Sequence, residues 1–226
     1  VFVYLITNVL ADPCGLIIAD NLITAGKAGE ALTESDNFEF RQEDISQGFE
    51  VDGPVDFIIN LAGIASPYYY RRFPLPTLDA AIKGTRTLLD MAVEKHARFT
   101  FFSSSEVYGD PDPRHVPTPE SYHGNVDTMG PRACYDESKR LGETLCYIYH
   151  GEYGVPTSAI RPFNVFGPGM WETDYRVLPN FATCIKTRQP LKIYGTGNQT
   201  RTFCYVTDAL NGFLRVIADG VPGEAY

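Results

Sequence analysis

Apolar and polar positions follow two periods along the chain. VFVYLIT (1–7), LIIADN (16–21), FEFRQEDI (38–45), VDFIINLAG (55–63), RFTFFSSSEVYG (98–109) and PTSAIRPFNVFGP (156–168) contain short apolar runs that give way to acids, amides or small residues. Each predicts a strand. Between them, TLDAAIKGTRTLLDMAVEKHA (77–97) and GPRACYDESKRLGETL (130–145) carry the spacing of helices. Largely apolar strands that alternate with helices predict an α/β fold, a doubly wound parallel sheet covered on both faces. Ligands of such a sheet bind beyond the carboxyl ends of its strands. Asp20, Asp44, Gly63, Ser103 to Glu106 and Asn164 are therefore expected to converge on one edge.

The opening departs from this pattern. A dinucleotide-binding sheet places a glycine-rich turn after its first strand, leading into a helix. Here Thr7 is followed by NVLADPCG and then the next apolar run. That is too short for a crossover between parallel strands, which takes about a dozen residues or more. We expect residues of the natural chain to be missing between Thr7 and Asn8, with a second join before Ala11. A continuous chain there would instead mean a scaffold without the dinucleotide turn. After residue 168 the pattern changes again. MWETDYRVLPNFATCIKTRQP reads as a loop and a helix, LKIYGTGNQTRTFCYV as two short strands around glycine-rich turns, and VTDALNGFLRVIADG as a helix. We divide the chain into 1–168, a nucleotide-binding domain, and 169–226, part of a smaller substrate-binding lobe. The two can interleave in sequence, and the rest of the lobe is expected past Tyr226.

A net charge of −9 argues against a nucleic-acid or anionic-membrane surface and leaves room for a local basic pocket. Five cysteines (14, 134, 146, 184 and 204) are odd in number and lack metal-ligand spacing, so we read reduced thiols, a cytoplasmic setting and no metal. Cys134 has no context that would activate it and is read as packing. No apolar run reaches membrane-spanning length and no signal peptide is evident.

The candidate chemistry centres on Tyr135 and Lys139, four residues apart on a helix and so on one face. A phenol beside a fixed ammonium has its anion favoured, and its pKa falls from about 10 toward neutrality. Such a group can carry the proton of a sugar alcohol during oxidation. Taken alone, Y-x-x-x-K is more often a surface tyrosine and a solvated lysine; the neighbouring segments reverse that weighting.

Those segments are SSSEVYGDP (103–111), GPRACYDESKRLGETLCY (130–147), RPFNVFGP (161–168) and YGTGNQTRTFCYVTD (194–208), with LIIADN and NFEFRQEDI in the early part. Together they resemble the extended short-chain dehydrogenase/reductase family of nucleotide-sugar enzymes, and within it the UDP-glucuronate decarboxylase branch. The resemblance implies a Rossmann-like fold, NAD as cofactor and a UDP-sugar as substrate. It gives Tyr135 the C4 hydroxyl proton, Lys139 the nicotinamide ribose, and Ser104 a hydrogen bond to the same hydroxyl. Glu106 and Ser105 would sit near C5 and the carboxylate. Oxidation at C4 would make a β-keto acid, CO2 would leave an enolate, and protonation at C5 with return of the hydride would give UDP-xylose. For the cofactor, Asp20 would accept from the adenosine ribose, which favours NAD over NADP. Asn21, Thr24, Gly26 and Lys27 follow in the pattern, Asp44 and Ile45 would flank adenine, and Leu61, Ala62, Gly63 and Ser103 would pass close to the dinucleotide. Asn164 and Arg201 match positions near the diphosphate, and Arg176 and Asn180 are further candidates for UDP. A homodimer is implied, through the helices near 77–97 and 135–150.

Several residues depart from the family pattern. Ala81 stands where Asn is usual, Lys83 replaces an apolar residue, and Gly169 replaces a frequent Arg. The YYYRR stretch, Tyr68 to Arg72, reads as an aromatic-rich surface loop, with a loop over the sugar as the alternative. The alternatives are a sugar-nucleotide 4-epimerase or dehydratase on the same scaffold, or a non-catalytic scaffold that has lost dinucleotide binding.

Overall fold

A computed structural model describes residues 15–24, 38–170, 175–193 and 195–226. The expected first strand at 1–7, the Thr7–Asn8 step, Gly26 and Lys27 lie outside the described residues.

The strands are β1 (Ile17–Ala19), β2 (Glu39–Arg41), β3 (Phe57–Asn60), β4 (Arg98–Phe102), β5 (Thr157–Ile160), β6 (Asn164–Phe166) and β7 (Phe203–Tyr205). β1 pairs with β2, β3 with β4, β4 with β5, and β6 with β7, every ladder parallel. The register sets Phe57 opposite Arg98 and Phe99 opposite Thr157, so the carboxyl ends of β3, β4 and β5 open on one edge. β4 lies in the middle of its sheet, with Phe99 and Phe101 fully buried.

The helices are α1 (Pro67–Arg72), α2 (Pro74–Asp79), α3 (Thr85–Lys95), α4 (Ala133–Tyr153), α5 (Val177–Lys186) and α6 (Val206–Asp219). The helix expected over 77–97 begins earlier and is not uniform, because a π turn at Ala80–Gly84 joins α2 to α3. Ala81 is buried there, while Lys83 points outward and pairs with Asp79 at 3.1 Å. Leu88, Leu89, Met91 and Ala92 of α3 meet Phe99 and Phe101 of β4 and Cys146 and Tyr149 of α4 in one core. The opposite face of β4 is covered by α6, where Phe213 meets Phe102 edge-on with ring centres 5.0 Å apart. α4 ends at Gly154, whose φ of +69° is a left-handed stop that favours glycine.

Two expectations are corrected. YYYRR is not a surface loop: Pro67 at the first helical position starts α1, and Tyr70 is buried. Among the described residues of 191–206 β7 alone forms a strand, and it pairs with β6, while the stretch from Leu191 to Ile193 makes no ladder. The chain also returns across the boundary expected at residue 168. Residues 223–226 run beside β5, with Tyr226 N donating to the Ala159 carbonyl at 3.0 Å. No described helix is long and apolar enough to cross a membrane.

Candidate active site

The site forms where β3 and β4 end against the first half of α4. Beyond β4 the chain turns at Ser103 and Ser104 into a short 3-10 helix, Ser105–Tyr108, whose first N–H groups are capped by the Ser104 hydroxyl through the Glu106 amide at 3.3 Å. α4 packs on β4 at a glycine, Gly142. A Cβ there would lie 2.2 Å from the Phe101 ring, so only glycine allows this approach. That packing brings Tyr135 and Lys139 to the end of β4.

Tyr135 is buried, and Ser104 stands near enough to act on its phenol. Burial pushes the phenol up from its ordinary pKa; Ser104 and Arg176 act to lower it, and Glu106 and Asp136 to raise it. Lys139 Nζ donates to the Phe102 carbonyl at 2.7 Å and lies 5.9 Å from the Tyr135 ring centre. The expectation that Lys139 would draw the phenol toward neutrality is therefore corrected. Its ammonium is tied to the strand end, and desolvation outweighs the other influences on Tyr135. Burial lowers Lys139 itself to about 8.

Glu106 is ion-paired with Arg132, the residue just before α4. Arg132 Nε also lies 3.7 Å from Asp136 Oδ2. Burial raises the Asp136 carboxyl to about 6, although Arg132 opposes the shift. Tyr70 stacks on Tyr135, ring centres 5.2 Å apart and planes within 9°. The Tyr70 hydroxyl and Asp136 Oδ1 are both buried without a partner among the described residues. Sequence reasoning missed Arg132, Asp136 and Tyr70. Two of them were legible by position, since Arg132 and Asp136 stand three residues before and one after Tyr135. Tyr70 is brought in only by the tertiary packing of α1.

Asn60 shapes the turn after β3. Its amide donates to Thr85 Oγ1 at 2.9 Å and its carbonyl accepts from Ala62 N at 3.0 Å. Leu61 is exposed at the rim, and Gly63 approaches Lys139 so closely that a Cβ would lie 3.2 Å from Nζ. At the end of β1, Asp20 is exposed and its carboxylate accepts from Leu22 N at 2.7 Å. Asn21 donates to Asp44 at 3.0 Å, and Asp44 caps the next turn through Ser46 N at 2.9 Å. The Ser46 hydroxyl, which donates to Asp44 Oδ1 at 2.7 Å, is the main reason the Asp44 carboxyl falls below its ordinary value. Thr24 is half-buried in the bend after β1.

Other candidates are placed differently. The Ile45 side chain is in the core beneath Gly84, leaving its backbone for any cofactor contact. The Ser103 hydroxyl is committed to Glu143 at 2.5 Å and so is not directed at a dinucleotide. Ser105 is fastened by its amide to the Pro162 carbonyl at 3.1 Å. Asn164 donates to the Thr202 carbonyl at 2.9 Å, and Arg201 to the Thr200 carbonyl at 2.7 Å. Among the described residues no hydrogen bond links either to the Tyr135 cluster. Arg176 precedes α5 and is near enough to act on the Tyr135 phenol, while Asn180 accepts from Cys184 within α5.

The profile of the "NAD dependent epimerase/dehydratase family" matches residues 4–226. This chain belongs to that family. It is 39% identical over 219 residues to UDP-glucuronic acid decarboxylase 1 of Xenopus tropicalis, an alignment that takes in 96% of this chain and 51% of that protein. It is also 39% identical over 218 residues to UDP-glucuronic acid decarboxylase 5 of Arabidopsis thaliana, across 92% of this chain and 63% of the relative. The chain thus spans roughly half to two thirds of the length of these curated relatives. Among solved structures, UDP-glucose 4-epimerase of Thermotoga maritima superposes with a TM-score of 0.83 at 21% identity, over 99% of this chain and 72% of that one. The dTDP-glucose 4,6-dehydratase of Bacillus anthracis, in complex with NAD, gives 0.81 at 24% identity, over 100% and 69%. These likenesses establish the Rossmann-like fold for this member of the epimerase/dehydratase family.

The residues present suit a dinucleotide. A buried ammonium faces a side-chain-free stretch at Gly63, and an acid stands at the rim of β1. Small residues at such a turn let a ribose or diphosphate approach the backbone.

Proposed function

We propose that this chain is the NAD-binding and proton-handling part of a UDP-glucuronate decarboxylase. The observation that carries the proposal is the burial of Tyr135 with Ser104 near enough to act on its phenol, set beside buried Lys139 and the Glu106–Arg132 pair. Asp20, Asn21, Asp44, the 61–63 turn and Lys139 would hold NAD, with Lys139 on the nicotinamide ribose. When bound, NAD supplies the acceptor and later the donor of the C4 hydride.

The chain's own residues do the remainder. Ser104 and Tyr135 hold the C4 hydroxyl, and Tyr135 takes its proton as the alcohol becomes a ketone. Ser104 and Arg176 both act to bring the phenol down from the value burial gives it. Once C4 is a carbonyl, the C5 carboxylate is that of a β-keto acid. Its C–C bond breaks, the electrons pass into the C4 carbonyl, and CO2 departs. Hydroxyl donors on the C4 oxygen favour the resulting enolate, which takes a proton at C5 before the C4 ketone is reduced again. Glu106, held by Arg132, would act near C5. Arg176, Asn180, Asn164 and Arg201 are candidates for the UDP diphosphate, since a guanidinium can pair two phosphate oxygens.

We also read α3 and α4 as the homodimer face. Leu141, Tyr147 and Ile148 of α4 are exposed apolar groups, and a monomer by light scattering would count against it. The scattered free thiols fit a reducing, cytoplasmic setting.

The test is incubation of the full-length protein with NAD and UDP-glucuronate, read by mass spectrometry. Loss of the mass of CO2 is expected. Unchanged mass with a new sugar would indicate epimerisation, which the Gly169 departure leaves as the second reading. Loss of water would indicate dehydration. Absence of NAD-induced thermal stabilisation would leave a non-catalytic scaffold.

A further inference from the structure

Glu143 lies one helical turn beyond Lys139 on α4, and the proposed chemistry gives it no task. Its side chain is largely buried, and two residues converge on its carboxylate. The Ser103 hydroxyl donates to Oε1 at 2.5 Å. Arg161 donates from Nε to Oε1 at 2.8 Å and from Nη2 to Oε2 at 2.6 Å, a two-pronged pair. The remaining Arg161 nitrogen, Nη1, donates to the Tyr108 hydroxyl at 3.0 Å and to the Glu120 carbonyl at 2.9 Å. Ser103 and Tyr108 bracket the turn that carries Ser104, Ser105 and Glu106. Next to Arg161, the Pro162 carbonyl accepts from Ser105 N at 3.1 Å. The serine turn is thus fastened at both ends and in its middle to α4 and to the chain leaving β5. Glu143 joins these attachments, and it stands on the helix that carries Tyr135.

We propose that Glu143 is a positioning residue: through Ser103 and Arg161 it fixes the Ser104 hydroxyl against the Tyr135 phenol. This rests on the roles given to Ser104 and Tyr135 in the proposed function. Ser103 is the residue next to Ser104, so release of its hydroxyl frees the turn where the reacting alcohol would be held. The effect falls on turnover, because a small displacement of a reacting group is felt in the transition state more than in substrate binding. A neutral amide at 143 could still accept from Ser103 but would lose the charge that orders the Arg161 fork.

The experiment compares Ser103→Ala, Glu143→Gln, Ser104→Ala and the two double variants with Ser104→Ala in the full-length enzyme. Ser103→Ala and Glu143→Gln are expected to lower kcat about ten- to a hundredfold, with KM for UDP-glucuronate within about threefold of the parent. Neither should lower kcat further once Ser104 is alanine, since groups acting through one another are non-additive. Amide hydrogen exchange supplies a readout independent of turnover. In Glu143→Gln the 103–108 turn should exchange faster while residues 135–139 keep their protection. Additive losses with Ser104→Ala, a loss carried wholly by KM, or unchanged exchange of the turn would each overturn the inference. If the parent converts no UDP-sugar, the proposed function fails, and the exchange comparison still decides whether Glu143 holds the turn.

Discussion

Lys139 Nζ donates to the carbonyl oxygen of Phe102 at 2.7 Å, tying the first half of α4 to the last residue of β4. The bond places a cation in a buried setting, and desolvation holds its pKa near 8. The folded chain therefore releases this proton more readily than the unfolded chain. Stability should rise with pH between about 8 and 10.5 as the unfolded lysine alone stays protonated.

Lys139→Met follows directly from that cost. The variant should raise the thermal midpoint of the NAD-free protein at pH 7 and abolish turnover. Calorimetry beside an activity assay checks both. A lower midpoint would mean that the hydrogen bond to Phe102 outweighs the desolvation of the ammonium.

Tyr135→Phe removes the proton carrier and keeps the ring that stacks on Tyr70. Turnover should fall by about a thousandfold or more, on the scale of losing an acid–base group together with its hydrogen bond. Affinity for the nucleotide sugar, by isothermal titration, should stay within a few-fold. Turnover close to the parent's would refute the role given to the phenol.

Asp136 offers a stability test. Burial raises its carboxyl from 3.8 to about 6. Between about pH 4 and 6 the folded chain keeps a proton that the unfolded chain has released, so stability falls as pH rises through that window. Asp136→Asn removes the cost. It should stabilise the protein at pH 7.5 by up to about 3 kcal/mol, taking about 1.4 kcal/mol per pKa unit. The gain should shrink toward zero near pH 4, which denaturant titrations at the two pH values would measure.

Gly142→Ala places a methyl group against the Phe101 ring, where no space exists. We expect a destabilisation of about 1–3 kcal/mol from overpacking, visible in the urea midpoint. Turnover should fall too, because the same packing brings Tyr135 to the end of β4.

Much of this was readable along the chain. The apolar runs at 98–102 and 157–160 became β4 and β5, because a strand buried on both faces must be apolar, but the run expected as one strand over 156–168 breaks after Ile160 and resumes at Asn164 as β6. Tyr135 and Lys139 were placed on one face by helical spacing alone. The YYYRR stretch shows the limit: its composition suits a surface loop, and only the packing of α1 against α4 makes Tyr70 a buried neighbour of Tyr135. Ser103 shows it again, since its hydroxyl could face either the rim or the helix, and Glu143 and Arg161 settle the direction.

The sequence by itself determined the alternation of strands and helices and the placing of Tyr135 and Lys139 on one face of a helix. These follow from local periodicity and from the need to bury apolar faces. Only the tertiary structure decided the state of those groups. Desolvation depends on everything packed around a side chain, and it is desolvation that raises Tyr135 and Asp136 and lowers Lys139.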